Sequence, residues 1–281
     1  MQRRRRITDR VFWLICGLAF LLIAAPSISV LVSVFHQALP ALGWQLFTRT
    51  THTTGLQNAI LGTLLLLGGV LVVAGTVGVA AGVYLAEFAT GRTERLLRFF
   101  SEILAGMPSI VIGYVAYLTL VVQFHWGYSL LAAVMALSVL VMPYIVKTTE
   151  VALRQVPTSL REGGAGLGMP RSATLRRILI PTALPGIASG VIVALAISTG
   201  ELAPLLFTAG FVDTDPKLAL FHHQVPYLTS VVYTDLAEPG ARYHATSAAA
   251  ALMSLVILIL LIAAGRVVAA RARRNTARMS L

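Results

Sequence analysis

Six stretches of this chain, residues 11–35, 59–86, 101–122, 128–147, 183–207 and 246–265, are apolar over about the length a helix needs to cross a bilayer. At about 1.5 Å of rise per residue, some 20 residues span roughly 30 Å of hydrocarbon. Inside that layer every backbone N–H and C=O has to be satisfied within the segment itself. The apolar runs are continuous rather than alternating, so they predict α-helices and not barrel strands. Hydrophobic residues make up 57% of the 281, charged residues 12%, and the mean hydropathy is +0.82. A water-soluble fold of that size has too little interior to hide so much apolar surface. The expected fold class is all-α integral membrane, with six transmembrane helices.

The net charge of +11 raises nucleic-acid binding, and the placement of the charge argues against it. With six spans, the 22 Lys and Arg fall into the seven connecting segments as 5, 1, 3, 0, 6, 2 and 5. Alternate segments therefore carry 19 on one face and 3 on the other. By the positive-inside rule both termini are expected in the cytoplasm, and Arg3, Arg4, Arg5 and Arg6 read as a topology signal. All six His residues then fall in outer loops. The first apolar run is longer than the roughly 7–15 residues of a signal peptide and is read as a retained helix. Cys16, the only cysteine, lies within it, which leaves no intramolecular disulfide and no cysteine metal cluster.

The chain divides into 1–58, an N-terminal tail, first span and outer segment with a short surface helix near Trp44 to Phe47; 59–265, the transmembrane core; and 266–281, a basic tail. Two connections are long enough to carry recognition, the inner loop 148–181 and the outer loop 208–245. Gly78-x-x-x-Gly82 and Gly186-x-x-x-Gly190 carry the small-residue spacing of close helix packing. Pro26, Pro108, Pro143 and Pro204 mark kinks or ends of spans.

In the inner loop, Ser159 and Glu162 have capping-box spacing, which predicts a short helix starting there. Gly166 and Gly168 can end it in a left-handed turn, and Pro170 suits the start of a second short helix. Pro181 and Pro185 are expected to break the chain before the fifth span. The run Glu162, Gly163, Gly164, then Gly168, then Ile178 and Pro181 resembles the signature of ABC importer permeases, with Gly for the usual Ala pair and Ile180 for the usual Leu. The resemblance implies a MetI-like permease fold whose inner loop docks as a coupling helix on a cytoplasmic ATPase.

Residues 200–211, GELAPLLFTAGF, resemble the end of the fifth span in phosphate permeases of the PstA type, usually with Thr where Leu202 stands. That likeness implies a PstC-like second permease, two copies of a PstB-like ATPase and a PstS-like phosphate-binding protein, in a bacterial inner membrane. It implies no cofactor on this chain, with ATP and Mg held by the ATPase subunits; the chain has no Gly-x-x-x-x-Gly-Lys-Ser/Thr loop. Gly200, Glu201 and Pro204 become candidates for the translocation pathway or its gate. A carboxylate in a span is expensive and usually functional, and pairing to a partner's cation fits it better than contact with an anion. The family commonly has Arg four residues before the Glu, where this chain has Ile197. A divergent permease for another oxyanion, such as molybdate or sulfate, is the alternative. A reading from a different class is a membrane enzyme using Glu201 with Asp213, Asp215, His222 and His223, which follow no familiar ligand spacing.

Overall fold

The computed structural model describes the backbone of residues 2–278 and the side chains of residues 11–271, so the side chains of Arg3–Arg6 and of the tail beyond Arg271 lie outside it. All regular elements among the described residues are helical. In chain order they are α1 (Gln2–Ala38), α2 (Gln45–Thr48), α3 (Gln57–Glu87), α4 (Gly91–Gly106), α5 (Ser109–Ala116), α6 (Leu130–Arg154), α7 (Thr158–Gly166), α8 (Arg171–Thr174), α9 (Ile180–Gly200), α10 (Ala203–Thr208), α11 (Leu228–Ala237) and α12 (Ala241–Arg278). A π-helical turn, Tyr117–Gln123, extends α5, and another, Leu175–Leu179, joins α8 to α9. Five stretches, Val11–Ala41, Gln57–Glu87, Leu130–Arg154, Arg171–Gly200 and Ala241–Arg271, are long and apolar enough to cross a membrane. The pair Gly91–Gly106 and Ser109–Gln123, bent by 103°, makes a sixth when the two are taken as one broken span.

Helix α6 is the most enclosed crossing, packed between α3 and α9. Glycines explain how close the three come. A Cβ on Gly82 would lie 2.6 Å from Thr149 Cβ, and one on Gly186 would lie 2.6 Å from Ala152 Cβ. Gly78 and Gly190 likewise face Ile145 and Thr148, so both glycine pairs lie where backbones approach. Lipid tails are as apolar as the side chains, so this close packing replaces the hydrophobic drive that would join helices in water. Helix α1 stands apart, leaning chiefly on α12.

Four sequence expectations need correction. The span expected at 101–122 is two helices, because residues before proline avoid the α region: Met107 (ψ 135°) and Pro108 (ψ 134°) are both extended. The fourth span does not stop at 147 but continues to Arg154, burying Glu150. Pro181 and Pro185 do not break the chain. The helix runs through both, and the π-helical turn just ahead of Pro181 accommodates the missing N–H while Thr182 Oγ1 donates to Ile178 O (2.6 Å). That helix ends at Gly200, not 207. The predicted surface helix does form, as α2, with Leu46 buried.

Candidate coupling and translocation sites

Helix α7 begins at Thr158 on the carbonyl of Pro157, and no side chain caps it, so the expected Ser159–Glu162 capping box is not made. Its end fits the expectation. Gly168 has φ +69°, Gly168 N–H donates to Ala165 O (2.9 Å) and Met169 N–H to Gly164 O (3.0 Å), the paired bonds of a Schellman turn. The turn folds α8 back on α7 at Gly164, where a Cβ would lie 2.9 Å from Thr174 Cγ2 and Oγ1. Glu162, Gly163, Gly168 and Arg171 are exposed, and Leu167 is 81% exposed. Ile178 packs on the small apolar cluster around Leu153, Leu179 and Ala183, and Pro181 is half-buried at the start of α9.

Two charge groups lie at this end of the bundle, one of them on the turn itself, and neither stood out in the sequence. Arg161 donates to both carboxylate oxygens of Glu87, at 2.7 and 2.6 Å, and to Leu153 O at 2.9 Å. One guanidinium thus ties α7 to the ends of α3 and α6, sharing the Leu153 carbonyl with Val156 N–H (3.2 Å). Deeper in, the buried Glu150 on α6 is paired with Arg98 on α4 and with Arg154 (2.9 Å), and Glu94 completes the ring with Arg98 (3.0 Å) and Arg154 (3.2 Å). A carboxylate this enclosed needs such partners. The signal available in the sequence was a Glu one turn beyond an apolar run, had the helix been extended far enough.

At the other end of α9, helical geometry stops at Gly200. Glu201 is extended (ψ 131°), and α10 starts at Ala203 with Pro204 buried behind it. Gly113 of α5 makes the break possible, since a Cβ there would lie 2.6 Å from Pro204 Cα. Thr229 Oγ1 donates to Glu201 O (3.0 Å), so α11 holds the backbone of the break while the half-buried carboxylate makes no ion pair among the described residues. Ile197, a turn earlier, packs on the apolar core. Gly200, Glu201 and Pro204 therefore share one chain break, some thirty residues along the helix from the α7 turn.

The residues of the enzyme reading form no cluster of three or more His, Cys, Asp or Glu fit to hold a metal ion among the described residues. Asp213 accepts from Thr51 Oγ1 (2.9 Å), and Asn58 donates to Thr51 Oγ1 (2.9 Å) and Thr214 O (3.4 Å), which pins the outer loop to the start of α3. His222 is held by its N–H to Trp126 O (2.9 Å). Burial and then the Asp213 charge push the Asp235 carboxyl on α11 above the usual range.

A six-crossing bundle with a charge-anchored helical turn at one face and a broken helix toward the other defines a membrane permease subunit. Residues 78–274 match the family described as binding-protein-dependent transport system inner membrane component, and the chain belongs to that family. It is 47% identical over 238 residues to phosphate transport system permease protein PstA 2 of Mycobacterium bovis, covering 84% of this chain and 79% of that one. It is 34% identical over 249 residues to PstA 1 of Mycobacterium tuberculosis (84% and 80%), and 33% over 219 residues to a probable ABC transporter permease, YqgI, of Bacillus subtilis (76% and 74%). A chain of the inward-facing methionine ABC transporter MetNI matches in fold with a TM-score of 0.61 at 19% identity, covering 77% of this chain and 97% of that one. A chain of a bacterial alginate importer matches with 0.64 at 14%, covering 95% and 96%.

Proposed function

We propose that this permease subunit translocates inorganic phosphate inward, with ATP hydrolysed by a partner. The observation that carries the reading is the 47% identity, across most of both chains, to a permease named for phosphate transport. The exposed face of α7, with Leu167 at its tip and Arg161 fixing its base, is suited to dock in a groove on an ATPase subunit. Glu162, Gly163, Gly164, Gly168, Ile178 and Pro181 form or support that element. Two ATPase copies, a second permease and a phosphate-binding protein complete the proposed assembly, which holds the nucleotide and Mg outside this chain.

The test is uptake of radiolabelled phosphate by the reconstituted assembly, with sulfate and molybdate as competitors. Phosphate uptake resisting both supports the reading. Competition by either at equal concentration favours the wider oxyanion alternative, which the apolar packing of Ile197 keeps in play.

The free carboxylate at the chain break leads to a second expectation. Neutralising it should slow transport without loosening the bundle, because none of the described residues depends on its charge. Glu201→Gln should lower phosphate uptake while the complex still assembles; unchanged uptake removes Glu201 from the mechanism. Strong uptake without the second permease would refute a cation supplied across the subunit interface.

The orientation with both termini cytoplasmic follows from the 19 to 3 charge asymmetry. In a Cys16→Ser background, cysteines at Thr93 and Arg171 should resist an impermeant thiol reagent added outside, and one at Thr214 should react. All three positions are exposed on the protein, so reactivity reports sidedness. The opposite pattern overturns both the orientation and the assignment of α7 to the ATPase side.

A further inference from the structure

Helix α4 is amphipathic in the reverse sense to a helix of a water-soluble protein. Its polar face turns inward: Arg98 and Glu94 join the ion pairs on α6, and Arg98, Ser101 and Glu102 line a cavity of about 270 Å³ with Tyr144 and Lys147. Its apolar face turns outward, with Leu96, Phe99, Phe100 and Ile103 at 54%, 58%, 56% and 44% exposure. None of its residues is buried, and it leans chiefly on α6.

The bend after α4 says what covers that face. From Ser109 to Gln123 the chain rises about 20 Å, short of the roughly 30 Å of hydrocarbon, so this segment by itself does not cross the whole layer. At 103° to that segment, α4 runs nearly along the membrane plane, and its charged residues Arg92, Glu94, Arg95, Arg98 and Glu102 fit the boundary where headgroups meet acyl chains and not the hydrocarbon itself. Two exposed cations, Arg92 and Arg95, stand on its first turns, placed for anionic headgroups.

We infer that α4 is an interfacial helix, its Leu96–Phe99–Phe100–Ile103 face seated in the lipid of one leaflet and its first-turn arginines holding anionic headgroups. Through Arg98–Glu150 it then fixes the end of α6 that leads into α7 to the membrane surface. The leaflet, cytoplasmic, rests on the orientation proposed above; the lipid contact does not.

The test uses the assembled transporter in nanodiscs with single cysteines at Leu96, Phe99, Phe100, Ile103 or, as a polar-side control, Arg95, each labelled with an environment-sensitive fluorophore in a Cys16→Ser background. Doxyl groups on the upper acyl chain should quench the four apolar-face labels at least about threefold more than aqueous iodide, with the order reversed at Arg95. Preferential iodide quenching of the four overturns the inference, as does shielding from both quenchers, which would place a protein partner on this face. The headgroup part is read separately. In a mixed membrane, doxyl-labelled phosphatidylglycerol should quench at Phe99 more than doxyl-labelled phosphatidylcholine, and the double substitution Arg92→Gln, Arg95→Gln should remove the difference. Equal quenching by the two lipids in the unsubstituted background overturns the anionic preference. Reversed accessibility in the cysteine-labelling experiment above would change the leaflet alone.

Discussion

Gly168→Leu should abolish most phosphate uptake by the assembled transporter, and most of the substrate stimulation of its ATPase, while the subunit still inserts and assembles. The reason is conformational. A Cβ at Gly168 would meet nothing within 4 Å, but φ is +69°, which an L side chain adopts at a penalty of roughly 1–2 kcal/mol, a factor of about 5–30 against the native turn. The Schellman bonds from Gly168 and Met169 would then be lost, and α7 would swing off the base that Arg161 and Gly164 give it. Asn tolerates the left-handed region better than other residues, so Gly168→Asn should restore a substantial part of the activity. Uptake and ATPase stimulation unaffected by Leu would show that α7 is not the transmitting element. Equal loss with Leu and Asn would point instead to a partner surface that admits no side chain at this position.

Gly186→Ala should destabilise the bundle by about 1–3 kcal/mol, the usual penalty for overpacking, seen as a lower thermal midpoint of the purified complex. The added methyl would sit 2.6 Å from Ala152 Cβ on α6. Ala152→Gly in the same chain should recover most of the loss, because Ala152 Cα lies 3.6 Å from that methyl, ordinary contact distance. Since each helix then gains or gives up one glycine, the swap holds composition and helix propensity nearly constant. Failure of the swap to recover stability would show that the penalty arises within α9 and not at its contact with α6.

The crossings were legible because length and hydropathy are local properties, and so was the Gly168 turn, because a left-handed residue leaves a local mark. What the sequence hid was long-range. Glu87 and Arg161 are 74 positions apart and Arg98 and Glu150 are 52 apart, so no periodicity links them. Gly113 carries no mark of its own in the sequence, yet α10 packs directly against it. The prolines went both ways: Pro108 marks a sharp bend, as expected of it, whereas Pro181 and Pro185, expected to break the chain, lie within a continuous helix. A proline removes a donor wherever it falls; whether the chain breaks depends on whether a π turn and a neighbouring hydroxyl can take up the freed carbonyls, which is a property of the packed bundle.

With Gly78 and Gly82 on one side of α6 and Gly186 and Gly190 on the other, the backbones of α3, α6 and α9 lie too close for side chains to re-sort between alternative registers. The three helices therefore resist sliding past one another. A pathway that opens to one side and then the other would flex most readily where a crossing is interrupted, at Met107–Pro108 and at Glu201–Leu202. The helices that follow these two breaks touch where Gly113 faces Pro204, so bending at one break would be felt at the other. A push on α7, in the coupling role proposed for it, would enter these packed helices through the Arg161 contacts at the ends of α3 and α6 and would reach that contact with little loss to soft packing.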